Sequence, residues 1–247
     1  MPLPLDQHQT EIRANLVRWQ SKPLLRQLYA DFYQRIVAAL APRVPGLVVE
    51  IGSGIGNLKQ HVPSAICTDL FPNPWLDLVC DGYDLPFADD TVSHLVLFDV
   101  FHHLEVPRAF LREALRVLPR GGRLVLFEPY ISWISHPVYG LLHHEPVALR
   151  QPISRAEIWP RPRRYYAAQG NATQCFFGRR ADPAWQAGWR LEKAEAFACF
   201  SYLLSGGYSK PSAYPGCVLP WLEKLDGWLS RWPRCFAGRC LVVLVKV

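Results

Sequence analysis

The stretch VVEIGSGIGNLK, residues 48–59, joins a short β-rich run to a turn with three glycines and then to a helical pattern. Glycine adopts positive φ at no steric cost, and a helix N-terminus presents free backbone N–H groups, so the turn is suited to close contact with a ligand. The spacing is GxGxG, whereas a dinucleotide fingerprint would need its third glycine at Asn57. Glu50 precedes the first glycine by two residues, which favours a cationic ligand and disfavours a pyrophosphate.

Working outward from this turn, short β-rich runs alternate with helical ones. Helices are predicted from about Gly56 and from Val106 to Leu118, and strands are predicted at residues 47–51, 65–70, 77–82, 94–100 and 122–130. Continuously apolar strands separated by helices are typical of a parallel sheet that is covered on both faces. The pattern therefore predicts an α/β doubly wound fold with its ligand at the carboxyl ends of the strands.

The flanking segments suggest how one domain of 247 residues is organised. Residues 1–45 are predicted to be a helical N-terminal cover, broken near Pro23, and residues 46–128 the ligand-binding core. Residues 129–181 are rich in Pro, Arg and aromatic residues and are predicted to be an acceptor-binding insertion or a lid. Residues 182–247 are expected to complete the sheet, with a short helix at 182–189, a strand region at 190–204, an amphipathic helix at 217–232 and a terminal strand at 240–247.

The excess of positive charge is confined to one segment. Residues 150–180 hold seven arginines and one acid, Glu157, so the net charge of this segment is +6 and equals that of the whole chain. The arginines are Arg150, Arg155, Arg161, Arg163, Arg164, Arg179 and Arg180. Such a distribution argues against binding to duplex nucleic acid. It is compatible with an anionic substrate group, with an acidic membrane surface or with a solvated loop.

Composition also bears on location and redox state. The first residues lack a signal-like pattern and no run of 18 uncharged apolar residues occurs, so we expect a soluble cytoplasmic protein, with peripheral membrane contact left open. The seven cysteines form no CxxC pair, and we expect them to be buried apolar residues outside any disulfide or zinc site.

Residues 50–56, EIGSGIG, resemble the first motif of the class I S-adenosylmethionine-dependent methyltransferases. Three segments agree with that family in order and spacing: CTDLF with Asp69, CDGYDLPFADDTVSHLVLF with Asp81, and FHHLEVPRAFLREALRVLPRGGRLVLFEP. The resemblance covers residues 47–128 closely and 181–247 in pattern. It implies a Rossmann-like seven-stranded sheet, mostly parallel with an antiparallel last strand, with S-adenosylmethionine as cofactor and S-adenosylhomocysteine as product.

The resemblance also implies roles for acids at the strand ends. Asp69 would bind the ribose hydroxyls and Asp81 would face the adenine amino group. Each acid has a structural alternative, because Glu50 is able to cap a helix, Asp69 to begin a turn and Asp81 to precede Gly82 in a turn. The predicted cofactor-binding residues are Glu50, Gly52, Ser53, Gly54, Gly56, Asn57, Asp69, Leu70, Asp81, Gly82, Phe98 and Asp99.

Methyl transfer is an in-line displacement that requires an aligned nucleophile and, for some acceptors, a base. The predicted catalytic residues are His102, Glu128 and Tyr130, although a histidine such as His102 also caps or packs under the next helix. The predicted substrate-binding residues are His136, His143, His144, Tyr165 and Tyr166. The run His143-His144-Glu145 suggests metal ligation, but adjacent residues point in different directions, and no metal is predicted.

The acceptor class is narrowed by two missing motifs. FDVFHHL follows the fourth strand where enzymes that methylate amines of bases, or protein glutamine, have Asn/Asp-Pro-Pro-Tyr/Phe, and no Pro-Cys nucleophile occurs. We therefore expect a small-molecule or lipid-like acceptor, with an apolar body and an anionic group as one option. The alternatives are an inactive methyltransferase-like binding or partner subunit and a nicotinamide-dependent oxidoreductase. The tryptophan-rich helix 217–232 is a candidate contact for a membrane or a second subunit, and the oligomeric state is left open.

Overall fold

A computed structural model describes residues 4–41, 44–142, 145–154, 156, 158, 166–178 and 187–247. A seven-stranded sheet has the order β3-β2-β1-β4-β5-β7-β6, in which β1 to β5 are parallel and β7 runs antiparallel to both neighbours. The predicted α/β fold with an antiparallel last strand is therefore confirmed. The strands are β1 Leu47–Ile51, β2 Ile66–Asp69, β3 Leu78–Val79, β4 Val92–Phe98, β5 Arg123–Pro129, β6 Trp189–Ala198 and β7 Ala237–Lys246.

The helices cover both faces of this sheet. They are α1 Pro4–Ser21, α2 Pro23–Ala39, α3 Pro107–Val117, α4 Ser135–Leu142, α5 Phe200–Ser205, α6 Leu219–Leu229 and α7 Pro233–Phe236. Every residue of β4 and β5 is buried, as the continuous apolar runs predicted. One face of these strands packs on α3 through Phe110 and Leu111, and the other packs on α2 through Phe32 and Ile36.

The structure differs from the predicted elements at three places. The helix expected from Gly56 is a four-residue 3₁₀ helix, Asn57–Gln60. The strand region predicted at 190–204 ends at Ala198, because the Asp226 carboxylate accepts the N–H groups of Phe200 and Ser201 and so begins α5. Helix α4 lies in the segment for which no regular element was predicted. The short helix expected at 182–189 lies largely outside the described residues, and Trp189 begins β6.

All seven cysteines are free, as expected, but their burial differs from the prediction. Cys67, Cys175, Cys199 and Cys240 are buried, whereas Cys80 and Cys235 are half-buried and Cys217 is exposed. The expectation that all seven are buried was therefore wrong at three of the positions. Cys217 lies on the surface because it belongs to the short 3₁₀ turn before α6, which buries none of its residues.

No helix among the described residues combines the length and apolar character needed to cross a membrane. Helix α6 buries Leu219, Asp226 and Leu229 and exposes Trp221 and Trp228. Its aromatic residues are thus on the surface rather than in one core stripe.

Lys22, between α1 and α2, connects the two N-terminal helices to the loop after α5. The chain breaks between α1 and α2 at this residue, one position before the predicted break at Pro23. The Lys22 Nζ donates to the carbonyl oxygens of Ser205, Gly207 and Lys210 at 2.5, 2.7 and 2.9 Å. These contacts hold the loop after α5 against the N-terminal cover.

We predict that Lys22→Met lowers the free energy of unfolding by about 1 to 2 kcal/mol, because three carbonyl groups lose a charged donor at a partly exposed site. Urea unfolding followed by circular dichroism measures the change. Lys193→Met, at a half-exposed lysine on β6, is the matched control and should change stability little. Equal losses in the two variants would contradict the role of Lys22.

Candidate active site

The glycine turn after β1 is shaped by positive φ at Gly52, Gly54 and Gly56, with values of 69°, 54° and 71°. A Cβ atom at Gly52 would lie 2.4 Å from the Val100 side chain, so this position excludes any other residue. A Cβ at Gly54 would meet only the end of Ile12, at 3.7 Å. The turn therefore has no room for a side chain at Gly52 and lies within contact distance of α1 at Gly54.

Glu50, at the end of β1, is a buried carboxyl beside this turn. It is 2 % exposed, and burial raises its pKa to about 8, partly offset by hydrogen bonds from Ser53 and Cys67. The backbone around it is fixed, since the Thr68 hydroxyl donates to the Glu50 carbonyl at 2.8 Å. At neutral pH Glu50 is mainly protonated, and a cation next to it would favour the charged form.

Asp69 lies at the end of β2 and contacts the glycine turn. Its carboxylate accepts the N–H groups of Gly54 at 3.1 Å and Leu70 at 2.7 Å. The His8 Nε2 of α1 lies 3.9 Å from the Asp69 Oδ1, beyond hydrogen-bonding distance. Helix α1 thus covers the acid that was predicted to bind ribose hydroxyls.

Asp81 follows β3 and is engaged in a local turn. Its carboxylate accepts the Tyr83 N–H at 3.0 Å, which is the turn alternative considered from the sequence. A Cβ atom at Gly82 would lie 3.5 Å from the side chains of Ile51 and Phe110, and Leu70 is 40 % exposed.

The end of β4 is held by an ion pair that sequence reasoning missed. Asp99 has a φ of 57°, and its carboxylate pairs with the buried guanidinium of Arg239 from β7. The Arg239 Cζ lies 4.7 Å from the centre of the Tyr202 ring, and Phe98 stacks on Tyr29 at 5.2 Å. The one sequence signal for Arg239 is a charge near the start of an otherwise apolar terminal strand.

Glu128, at the end of β5, is 0 % exposed and fully used by donors within the protein. Its carboxylate accepts the backbone N–H groups of Val100, Phe101 and His102 at 2.7, 2.6 and 3.3 Å, and it contacts the His102 Nδ1 at 2.7 Å. A carboxylate has about four acceptor positions, and four donors fill them. Glu128 is therefore placed to position the turn Phe101–His103 rather than to take a proton from a ligand.

His102 and His103, in that turn, both face Glu145. The Nε2 atoms of His102 and His103 lie 3.4 Å from Oε2 and Oε1 of Glu145, respectively. Burial lowers the pKa of His102, but the charges and hydrogen bonds of Glu128 and Glu145 outweigh it and raise the pKa to about 10. For His103, burial and the neighbouring His102 lower the pKa.

A cavity of about 610 Å³ brings these groups together. Of the predicted residues, those that line it are Glu50, Gly52, Ser53, Gly54, Asn57, Phe98, Asp99 and His102. Tyr139 and Glu145, from the predicted acceptor-binding insertion, also line it. Residues that sequence reasoning missed form much of the remaining lining: Arg18, Tyr29, Tyr33, His103, Gln169, Tyr202, Tyr208, Lys210 and Arg239.

Other predicted residues lie apart from this cavity lining. Tyr130 is buried edge-on against Phe177, with ring centres 5.0 Å apart, and His136 is exposed on α4. Tyr166 contributes its backbone carbonyl, which lies 2.9 Å from the His103 Nδ1. The predicted residues Gly56, Asp69, Leu70, Asp81, Gly82 and Glu128 are not among the residues that line the cavity. His143, His144, Tyr165 and all but Arg150 of the arginines at 150–180 lie outside the described residues.

Comparisons with known proteins agree with this architecture. The sequence model of a methyltransferase domain family matches residues 49–126. A Methanocaldococcus jannaschii protein described as uncharacterized is 28% identical over 103 residues, which are 38% of this chain and 50% of that protein. The probable tRNA methyltransferase 9B of Homo sapiens is 26% identical over 121 residues, which are 42% of this chain and 26% of that protein. The chain thus spans half or less of the length of these relatives.

Two solved structures match nearly the whole chain. A putative methyltransferase, solved in a complex with the Haloferax volcanii Trm112 methyltransferase activator, is 19% identical with a TM-score of 0.52, over 95% of this chain and 97% of that chain. A Thermotoga maritima methyltransferase, described as a possible histamine N-methyltransferase, is 15% identical with a TM-score of 0.51, over 96% and 99%. At these identities the likeness concerns the fold.

We predict that Glu50→Gln changes how stability depends on pH. Because the pKa of Glu50 is raised in the folded state, the stability carried by its protonated form is complete below 4.5 and is lost as the pH rises through about 8. Between these pH values the free energy of unfolding of the wild type should fall by up to about 1.4 kcal/mol per pH unit relative to that of the variant.

Urea unfolding at pH 5, 6, 7 and 8 measures this difference. Glu195→Gln, at a half-exposed glutamate on β6, is the matched control and should follow the wild type. A difference between wild type and Glu50→Gln that stays constant with pH would contradict the assignment.

Proposed function

We propose that this chain, which has the fold of the class I S-adenosylmethionine-dependent methyltransferases and matches a methyltransferase domain family at residues 49–126, methylates a small-molecule or lipid-like acceptor. The observation that carries this proposal is the cavity that joins the glycine turn to a second group of polar side chains. A methyl donor and an acceptor must meet in one water-poor space for in-line transfer. The matched family favours this function over a nicotinamide-dependent oxidoreductase.

The residues at the turn fit a cationic cofactor. Glu50 is buried with a raised pKa, Gly54 has a positive φ that brings the backbone close to the cavity, and Asp69 adds a carboxylate. These three residues, with Gly52 and Phe98, would hold S-adenosylmethionine. When bound, the cofactor supplies an electrophilic methyl group on a sulfonium.

The aromatic part of the cavity lining favours an acceptor with aromatic or apolar character. Five tyrosines line the cavity, namely Tyr29, Tyr33, Tyr139, Tyr202 and Tyr208. Ring faces and hydroxyl groups together bind amphipathic molecules well. Arg18 and Lys210 also line this space, which supports an anionic group on the acceptor.

Calorimetry and a transfer assay test the function at two levels. We expect S-adenosylhomocysteine to bind the purified protein, and radiolabelled methyl groups to pass from S-adenosylmethionine to small molecules in an extract of the source cells. Absence of S-adenosylhomocysteine binding at millimolar concentration would contradict the proposal. Binding without transfer would instead favour an inactive methyltransferase-like binding subunit.

We predict that Asp69→Asn weakens S-adenosylhomocysteine binding by about 10- to 100-fold, through loss of charge-assisted hydrogen bonds of about 1.5 to 3 kcal/mol. The amide oxygen of the introduced side chain can still accept the Gly54 N–H, so the turn should persist. Titration calorimetry gives the ratio. Asp89→Asn, at an acid whose side chain is 72% exposed, should bind like the wild type. Unchanged affinity in Asp69→Asn would remove Asp69 from the cofactor site.

The exposed face of α6 supports a separate proposal of peripheral membrane contact. Trp221 is 72% and Trp228 51% exposed, and the Lys224 Nζ lies 5.3 Å from the Trp221 ring centre. Tryptophan and lysine on one face suit a membrane interface. We expect the wild type to co-sediment with vesicles of anionic phospholipid. The double variant Trp221→Ser/Trp228→Ser should co-sediment less. If the wild type does not bind these vesicles, the proposed membrane contact is refuted.

A further inference from the structure

The turn Phe101–His103 directs two adjacent imidazoles to one carboxylate. The ring centres of His102 and His103 lie 4.2 Å apart and are tilted by 39°. Their Nε2 atoms each lie 3.4 Å from an oxygen of Glu145, and one ligand atom from each of the three residues lies within 4.8 Å of the others. Two histidines and one carboxylate, all lining the cavity, thus converge on one point.

The other nitrogen of each ring is held by an acceptor. The His102 Nδ1 lies 2.7 Å from the Glu128 carboxylate, and the His103 Nδ1 lies 2.9 Å from the Tyr166 carbonyl oxygen. A carbonyl oxygen and a fully used carboxylate require a proton on each Nδ1. This arrangement, in which Nδ1 donates to a carboxylate or backbone carbonyl, is the one that orients a histidine for metal binding through Nε2.

The distances around Glu145 also match a shared ion. A separation of 3.4 Å is at the long end of the range for an N–H···O hydrogen bond. Two ligands of one tetrahedral ion, each at about 2.1 Å, are about 3.4 Å apart. The Gln169 Nε2 donates to the Glu145 Oε2 and so orients this carboxylate, while the buried Gln169 Oε1 has no hydrogen-bond partner in the described part of the chain.

The two carboxylates on either side of His102 are both buried. Glu128 and Glu145 are 0 % and 8 % exposed, and His102 lies between them. Carboxylates on both sides favour a cation at this position. A divalent ion would take the place of the proton that otherwise lies between His102 and Glu145.

We propose that His102, His103 and Glu145 bind a divalent transition-metal ion of the zinc type, with its open position towards the cavity. Two histidines, one carboxylate and an open position form the pattern of a catalytic zinc site. Glu128 is a positioning residue that holds His102 for this task.

The role of the ion rests on the proposed methyl transfer, although its binding does not. An acceptor hydroxyl or thiol that binds the ion releases its proton to water more readily. The resulting lone pair forms a bond to the methyl carbon as the carbon–sulfur bond of the sulfonium breaks, and the electron pair of that bond stays on sulfur. The ion acts as a Lewis acid and is not consumed.

Metal titration of the full-length protein tests the site. After dialysis against a chelator, we expect one Zn²⁺ to bind per chain by calorimetry, and one Co²⁺ to give the visible absorption of a tetrahedral or five-coordinate site. His103→Gln and Glu145→Gln should each weaken Zn²⁺ binding by about 10- to 100-fold or more and abolish the Co²⁺ bands. His103 is the better first target because its side chain is 34% exposed and replacement should leave the fold intact.

His61→Gln, at an exposed histidine stacked on Tyr33, is the matched control and should bind metal like the wild type. Thermal unfolding and S-adenosylhomocysteine binding by each variant report whether the fold is kept. Absence of Zn²⁺ binding by the wild type, or unchanged binding by folded His103→Gln and Glu145→Gln, would overturn the proposal. Zn²⁺ binding without cofactor binding would leave the metal site standing and refute the methyltransferase proposal alone.

Discussion

The carboxylate of Glu128 is the interaction on which the site depends. By accepting three backbone N–H groups, it fixes the segment from Val100 to His102 against the end of β5. Val100 is thereby pressed against Gly52, and His102 is turned towards Glu145. The glycine turn and the histidine pair thus share one buried anchor. A residue of this kind at a strand end resembles a catalytic acid in sequence, although its acceptor capacity is already used.

The two acids that lie at the ends of β1 and β4 and line the cavity differ in electrostatic character. Burial is the largest influence on Glu50 and favours its neutral form. Asp99 instead has a full partner in Arg239, whose guanidinium lies among aromatic rings. A cationic ligand therefore gains a charged partner at Glu50 when that carboxyl ionises, whereas the charge of Asp99 is already balanced.

The strands that contain continuous apolar runs were predicted from the sequence, because burial on both faces of a parallel sheet produces a clear hydrophobic pattern. Sequence reasoning also identified the cavity residues next to β1 and β4. Arg239 and Tyr202 were not predicted. Antiparallel pairing of β7 with β5 brings in Arg239, and α5, which follows β6, brings in Tyr202; both lie more than a hundred residues along the chain from β4. The rule that adjacent histidines point apart does not hold at His102 and His103, where a 3₁₀ turn, Glu128 and the Tyr166 carbonyl set both rings. Such long-range contacts have no local signature.

The packing of α2 has a consequence for where the chain can be shortened. The ring centres of Phe32 and Phe127 lie 5.0 Å apart, and those of Tyr29 and Phe98 lie 5.2 Å apart, so this helix covers one face of β4 and β5. The family match at 49–126 leaves out α2 and also β7, which pairs with β5 along seven residues. A fragment cut at those limits would expose a sheet face and an unpaired strand edge, both of which promote aggregation. The autonomous folding unit is therefore larger than the region that sequence comparison recognises.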